Sequence, residues 1–192
     1  GFATRLYPLT KTLAKPLLEV GGKAMLRRIV DQVVRTGAVV DGVVVVNHRF
    51  HADFVKWQAT ARPALPVVLV DDGADSNETR LGAIRDLALA LQAAATDVQP
   101  DGYLVLACDN LFDFDLSQLV DRFRASGGGQ LIVREVPTPV PSGRYSEVLL
   151  DGDKVSRFRE KPEHPESNLS AIAVYLLPKE LPELVAWLER RG

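Results

Sequence analysis

Four stretches of this sequence gather side chains that could carry chemistry. The first is the opening sixteen residues, Gly1-Phe-Ala-Thr-Arg-Leu-Tyr-Pro-Leu-Thr-Lys-Thr-Leu-Ala-Lys-Pro16. Gly1 and Ala3 are small, so backbone can approach a ligand closely. Thr4 and Thr10 supply hydroxyls, and Pro8 and Pro16 stiffen the loop by fixing φ. Arg5 and Lys15 bring positive charge: a guanidinium grips phosphate with two parallel bonds, while an ammonium acts as a point charge. These residues alone fit a phosphate loop or an ordinary loop with two solvated cations. The second stretch is Tyr103-Leu-Val-Leu-Ala-Cys-Asp-Asn110, which sets Asp109 at the tip of an apolar strand. Open α/β sheets bind ligands at that end, and a hard carboxylate there suits Mg²⁺; the other reading is that Asp109 caps the following loop. The third, Asp71 to Ile84, is an acidic loop in which Gly82, at a helix start, would let a base or ribose lie against the backbone. Its plain alternative is a solvated loop whose Thr79 caps the helix. The fourth is Glu160-Lys161-Pro162, an exposed charged turn on its own residues. His48 and His51 read as surface histidines and Cys108 as a buried core thiol; no Ser-His-Asp or Cys-His arrangement can be drawn from the sequence.

Alternating elements must position these groups. Apolar residues at Met25, Leu26, Ile29, Val30, Val33 and Val34 predict a helix over Lys23–Thr36 that stops at Gly37. Val43–Val46, Pro66–Val70 and Tyr103–Ala107 read as strands covered on both faces. Phe50–Ala59 and Leu81–Ala95 read as helices between them, and Asp115 is placed to cap another whose inner face carries Leu116, Leu119, Val120 and Phe123. Strands alternating with helices predict an α/β fold with a parallel sheet and right-handed crossovers. After Gly127-Gly128-Gly129 the pattern changes to strands at Gln130–Val136, Tyr145–Leu150, Lys154–Phe158 and Ala171–Leu177, with an Asp151-Gly152 hairpin turn and a last helix at Pro182–Arg190. This third of the chain is expected to form a mixed β region along one side of the cleft.

A chain of 192 residues with 46% hydrophobic content supports one sizeable core. The net charge of −2 and the pI of about 6.0 imply no broad basic surface, so nucleic acid is not the expected partner. No apolar run approaches the ~18 residues of a membrane span. The single cysteine forbids an intrachain disulfide and is compatible with a cytoplasmic location, which is the expectation here. No signal peptide is visible, and the absence of an initiator Met leaves open a removed N-terminal segment.

The opening stretch resembles the signature of the sugar-nucleotide pyrophosphorylases, that is, the sugar-1-phosphate nucleotidyltransferases: G-x-G-T-R-L-x-P-L-T, then P-K-P. Gly1, Thr4, Arg5, Leu6, Pro8, Leu9, Thr10, Lys15 and Pro16 match it, while Ala3 and Ala14 replace a common Gly and Pro. Asp109-Asn110 is similar to the family's Gly-Asp-Asn, with Cys108 in the Gly place. Arg144-Tyr145, the Asp151-Gly152 turn, Glu160-Lys161-Pro162 and Ala173-Val174-Tyr175 follow in the family's order, with Ser146 and Ala173 standing where Gly is usual. The resemblance runs from Gly1 to about Pro178. It implies a Rossmann-like, mostly parallel sheet with helices on both faces, in a single nucleotidyltransferase domain over 1–192. Residues 1–126 would bind nucleotide and 127–192 sugar phosphate. It also implies transfer of a nucleotidyl group from a nucleoside triphosphate to a sugar-1-phosphate. Gly1, Thr4, Arg5 and Lys15 would hold the phosphates, Asn77 and Gly82 the base, and Asp109 Mg²⁺. Tyr145 and Glu160 would face the sugar, and Lys161 its phosphate. No nucleic-acid or membrane partner is expected, and a homo-oligomer is compatible with the reading. Two alternatives stand beside it: a non-catalytic nucleotide-binding or regulatory module of the same fold, favoured by Ala3, Ala14, Ser146 and Ala173, and a CTP-dependent transferase acting on a phospho-alcohol. Retention of Arg5, Lys15, Asp109 and Lys161 favours the sugar-phosphate enzyme.

The resemblance further implies truncation at both ends. The family has an apolar strand before the phosphate loop and a second metal-binding Asp beyond the last residue here. Weak or absent turnover of the 192-residue chain is therefore expected.

Overall fold

The computed structural model describes residues 2–94 and 99–191. Helix α1 (Met25–Arg35) forms as its spacing predicts and buries Met25, Leu26, Ile29, Val30 and Val33. Each such side chain removed from water is worth about 2 kcal/mol. Gly37 ends it at φ +62°, donating its N–H to the carbonyl of Val34 at 3.1 Å. Strand β1 (Gly42–Val46) leads into α2 (His48–Ala61), which buries Phe50, Phe54 and Trp57 and extends beyond the predicted Phe50–Ala59 at both ends. Strand β2 (Val67–Asp71) returns parallel to β1, with Gly42 opposite Val67 and Val46 opposite Asp71.

Helix α3 (Ala83–Ala93) starts later than predicted because Gly82 adopts φ 90°, outside the helical region; the predicted last residue, Ala95, lies outside the described residues. Strand β3 (Gly102–Leu106) begins at a glycine because a Cβ there would lie 2.7 Å from Phe123 and from the Leu177 carbonyl. Helix α4 (Ser117–Ser126) buries Leu119, Val120 and Phe123; Asp115 accepts the Ser117 N–H at 2.9 Å, the expected cap.

The C-terminal third contains β4 (Gln130–Glu135), β5 (Glu147–Asp151), β6 (Lys154–Arg159), β7 (Leu169–Pro178) and α5 (Leu181–Glu189). Strands β5 and β6 form the hairpin predicted at Asp151-Gly152, with Gly152 at φ +58° in the turn. Strand β7 pairs antiparallel with both β3 and β4. The α/β class is borne out; among the described residues parallel pairing is confined to β1 and β2, and the other strand pairs are antiparallel. Val43, Val44 and Val45 of β1 and the whole of β3 are half-buried rather than covered on both faces, while Val46 is buried. Among the described residues β1 pairs only with β2, and β3 only with β7. The main core joins Phe2, Leu17, α1, α2 and α4 to Val174 and Leu176 of β7. A smaller cluster packs α3 against α5 through Ala88, Leu181 and Val185. Among the described residues no helix is long and apolar enough to cross a membrane.

Candidate active site

The opening loop is built from inside outward. Phe2 is buried, its ring 6.3 Å from that of Phe50 on α2. Ala3 takes the left-handed conformation, φ 47°, where a glycine would sit without a Cβ conflict. Thr10, only 1% exposed, donates its hydroxyl to the Ala3 carbonyl at 2.9 Å and pins that strained turn. A short 3₁₀ turn, Thr4–Leu6, then carries Thr4 and Arg5 outward. Arg5 is exposed and makes no ion pair or hydrogen bond among the described residues. The loop is tied to α2 by Arg49, which donates to the Lys11 carbonyl at 2.8 Å.

Lys15 opens a second 3₁₀ turn, Lys15–Leu17, and its ammonium lies 3.5 Å from a carboxylate oxygen of Asp109. The structure thus brings together the loop cation and the strand-tip carboxylate. Asp109 follows β3, with its side chain 58% exposed. Asn110 donates to the Ile172 carbonyl at 2.9 Å, which ties the loop after β3 to β7. Burial pushes the Cys108 thiol up to about 11, with the Asp109 charge adding to the effect, so it stays protonated and unreactive at neutral pH. An exposed carboxylate beside a lysine fits a Mg²⁺ ion that shares ligands with phosphates. No group of three or more His, Cys, Asp or Glu poised to hold a metal occurs among the described residues.

Gly1 lies outside the described residues. Asn77 is exposed in the loop between β2 and α3, and Gly82 ends that loop with open space where a Cβ would project. Thr79 does not cap α3; its hydroxyl accepts the N–H groups of Asp75 and Ser76, each at 3.1 Å, because the chain turns before the helix begins. The histidine reading missed a pair. His48 Nδ1 lies 2.6 Å from Asp71 Oδ2, at the C-terminal ends of the adjacent parallel strands β1 and β2. The bond from Asp71 and its charge raise the His48 pKa. Burial works to raise Asp71, but His48 and the Gly73 N–H hold it below the usual carboxylate range. The signal for this pair was positional: Asp71 ends β2, and His48 opens α2 just after the end of β1.

On the other side, a pocket of about 260 Å³ lies between β7 and the β5–β6 hairpin, lined among others by Asn110, Arg134, Arg144, Tyr145, Glu160 and Tyr175. It brings the predicted Tyr145 and Glu160 together. Lys161 is not in the lining; it adopts φ 46° and its ammonium lies 3.0 Å from Glu160. Ser146 is drawn to β7, sharing a 3.2 Å hydrogen bond with the Ser170 hydroxyl. Ala173, in a place where the signature has glycine, is left-handed at φ 54°. Sequence reasoning also missed Glu147, which is 2% exposed on β5. It accepts from Arg159 Nε at 2.6 Å and from the Ser167 N–H at 2.7 Å, and also from the Glu166 N–H. The loop carrying Glu160 and Lys161 is thereby anchored at its far end. A larger cavity, about 580 Å³, lies against α1 and residues 111–113 and contains none of the predicted site residues.

Residues 1–189 match the family model described as Nucleotidyl transferase. The chain is 31% identical over 182 residues to the rice (Oryza sativa subsp. japonica) "Probable mannose-1-phosphate guanylyltransferase 1", covering 92% of this chain and 47% of the relative. It is 29% identical over 187 residues to the mannose-1-phosphate guanyltransferase of Saccharomyces cerevisiae, covering 96% and 50%. The chain spans about half the length of these curated relatives. Among solved structures, a "Putative Glucose-1-Phosphate Thymidylyltransferase" from Bacillus anthracis, in complex with a sucrose, superposes with TM-score 0.82 at 21% identity, covering all of this chain and 72% of the other. Apo UDP-glucose pyrophosphorylase follows at TM-score 0.75 and 18% identity, covering 97% and 77%. These two show the shared fold.

Proposed function

Because the chain belongs to the nucleotidyl transferase family, we propose that it serves nucleotidyl transfer from a nucleoside triphosphate to a sugar-1-phosphate, giving a nucleoside diphosphate sugar and pyrophosphate. The observation that carries this reading is the 3.5 Å approach of Lys15 to Asp109. It joins the opening loop to the strand tip, where an α/β sheet receives its ligand. A phosphate oxygen of the acceptor attacks the α-phosphorus in line, the bond from that phosphorus to the bridging oxygen breaks, and pyrophosphate leaves. Such chemistry rests on positioning and on neutralising charge.

Lys15 would hold the α-phosphate region and Arg5 the triphosphate and departing pyrophosphate, consistent with the unengaged guanidinium of Arg5. Asp109 would hold Mg²⁺, which when bound neutralises triphosphate charge. Thr4, Asn77 and Gly82 would belong to the nucleotide side, supported by the open face of Gly82. Tyr145, Glu160 and Lys161 would belong to the acceptor side. This divides the work between residues 1–126 and 127–192.

Two named relatives act on mannose-1-phosphate, so that acceptor and GTP head the screen. Pyrophosphate release is measured over triphosphates and sugar phosphates at limiting Mg²⁺. One pairing should turn over, and Asp109→Asn should remove most of that rate while the fold is kept. Normal turnover by Asp109→Asn would remove Asp109 from the metal site, and failure of every triphosphate and sugar phosphate both to release pyrophosphate and to bind in calorimetric titration would count against the reaction.

A further inference from the structure

The acceptor-side pocket contains two cations that the reading above does not use. Arg134, on β4, holds its guanidinium 5.5 Å from the centre of the Tyr145 ring, and Arg144 holds its own 5.3 Å from the same ring. Both line the pocket of about 260 Å³, together with Glu160 and Ser170. Among the described residues neither guanidinium makes an ion pair or hydrogen bond; Arg159 nearby is engaged by Glu147 and Glu166. Two guanidiniums beside one aromatic ring, with no carboxylate partner among the described residues, give this side of the pocket a positive charge that an anion would complement.

Charge counting indicates which anion. Lys161 lies 3.0 Å from Glu160, so that pair sums to zero. A phosphate monoester carries about two negative charges near neutrality, which the two arginines balance. Their planar forks suit its oxygens, each able to donate two parallel bonds. We propose that Arg134 and Arg144 form the clamp that takes the phosphate monoester of the sugar acceptor beside Tyr145, with Glu160 and Ser170 left to the sugar hydroxyls. The proposal rests on the acceptor side assigned above and adds the residues that recognise its charge.

The test is calorimetric titration of the 192-residue chain with a hexose 1-phosphate, the free hexose and a nucleoside triphosphate. The hexose 1-phosphate should bind and the free hexose should not. Arg134→Gln and Arg144→Gln should each weaken the hexose 1-phosphate by roughly tenfold or more, the scale of a lost charge-assisted bond. Triphosphate affinity and thermal midpoint should stay the same. Arg→Lys at either position, keeping charge without the fork, should fall between. Unchanged affinity in the Arg134→Gln/Arg144→Gln double variant, equal weakening of the triphosphate, equal binding of the free hexose, or no binding of hexose 1-phosphate to the unaltered chain would each overturn the clamp. If arginine-dependent binding is found but no triphosphate binds, the reaction fails and the clamp stands. If turnover proceeds and the double variant keeps its acceptor KM, the clamp alone fails.

Discussion

Arg5 and Thr10 belong to one loop and have opposite fates. Thr10 is buried because its hydroxyl is needed inside, on the Ala3 carbonyl, whereas Arg5 is carried outward by the turn that Ala3 starts. An exposed guanidinium with no partner among the described residues adds nothing visible to the fold, so its loss should be felt only in chemistry. Arg5→Ala is expected to lower the rate of pyrophosphate release by on the order of 10²-fold and to leave the melting temperature in place; a full rate, or a melting shift as large as that of a core variant, contradicts the assignment. His48 offers a second test at this scale. Asp71 raises its pKa above the ordinary 6.5 by accepting its hydrogen bond and by charge. The stability linked to this pair is therefore fully present below pH 6.5 and lost as pH rises through the raised value. An NMR titration should place the His48 midpoint above 6.5 and show it falling in Asp71→Asn. A midpoint that ignores the substitution would mean that the pair does not persist in solution.

Among the elements, β7 carries the most strain. Its pairing with β4 is irregular: Tyr175 faces Leu131, and Ala171 already faces Val133. The surplus is taken up around Ala173, at φ 54°, whose carbonyl still accepts the Ala107 N–H at 2.9 Å. Beside it, the Ile172 carbonyl receives Asn110, so the bulge braces the loop that bears Asp109. Left-handed backbone costs an alanine about 1–2 kcal/mol, and glycine returns part of that as chain entropy. Ala173→Gly should raise the unfolding free energy by roughly 0.5–1 kcal/mol, read as a higher urea midpoint with unchanged slope. A lower midpoint would show that the Ala173 methyl contributes more through packing than its φ costs.

For the whole molecule, the buried Glu147 links the hairpin to the loop before β7. Burial works to raise its pKa, but the Ser167 N–H, Arg159 and the Glu166 N–H outweigh it, and the carboxyl sits below its ordinary 4.5. Its stabilisation is present above pH 4.5 and is lost as pH falls through the depressed value. Glu147→Ala leaves two backbone donors without their acceptor and Arg159 with Glu166 as its carboxylate partner, and should cost about 3 kcal/mol. Denaturation midpoints at neutral and acid pH should fall together less steeply in Glu147→Gln than in the unaltered chain. Equal acid sensitivity in both would place the acid-labile group elsewhere.

Most elements were legible in the sequence because periodicity and turn chemistry are local: the face of α1, the Gly37 stop, the Asp151-Gly152 turn and the Asp115 cap all stand close to where residue spacing put them. The opening loop and the strand-tip Asp109 were legible for the same reason. What only the tertiary structure decided was pairing across distance. An apolar run such as Tyr103–Ala107 declares itself a strand, but nothing within it says that its neighbour will be β7 running antiparallel. The partners Lys15–Asp109, His48–Asp71, Glu147–Arg159 and the two arginines over Tyr145 are likewise invisible along the chain. Each depends on which strand ends and loops the register brings within a few ångströms, and register is set by the packing of the whole chain rather than by any one segment.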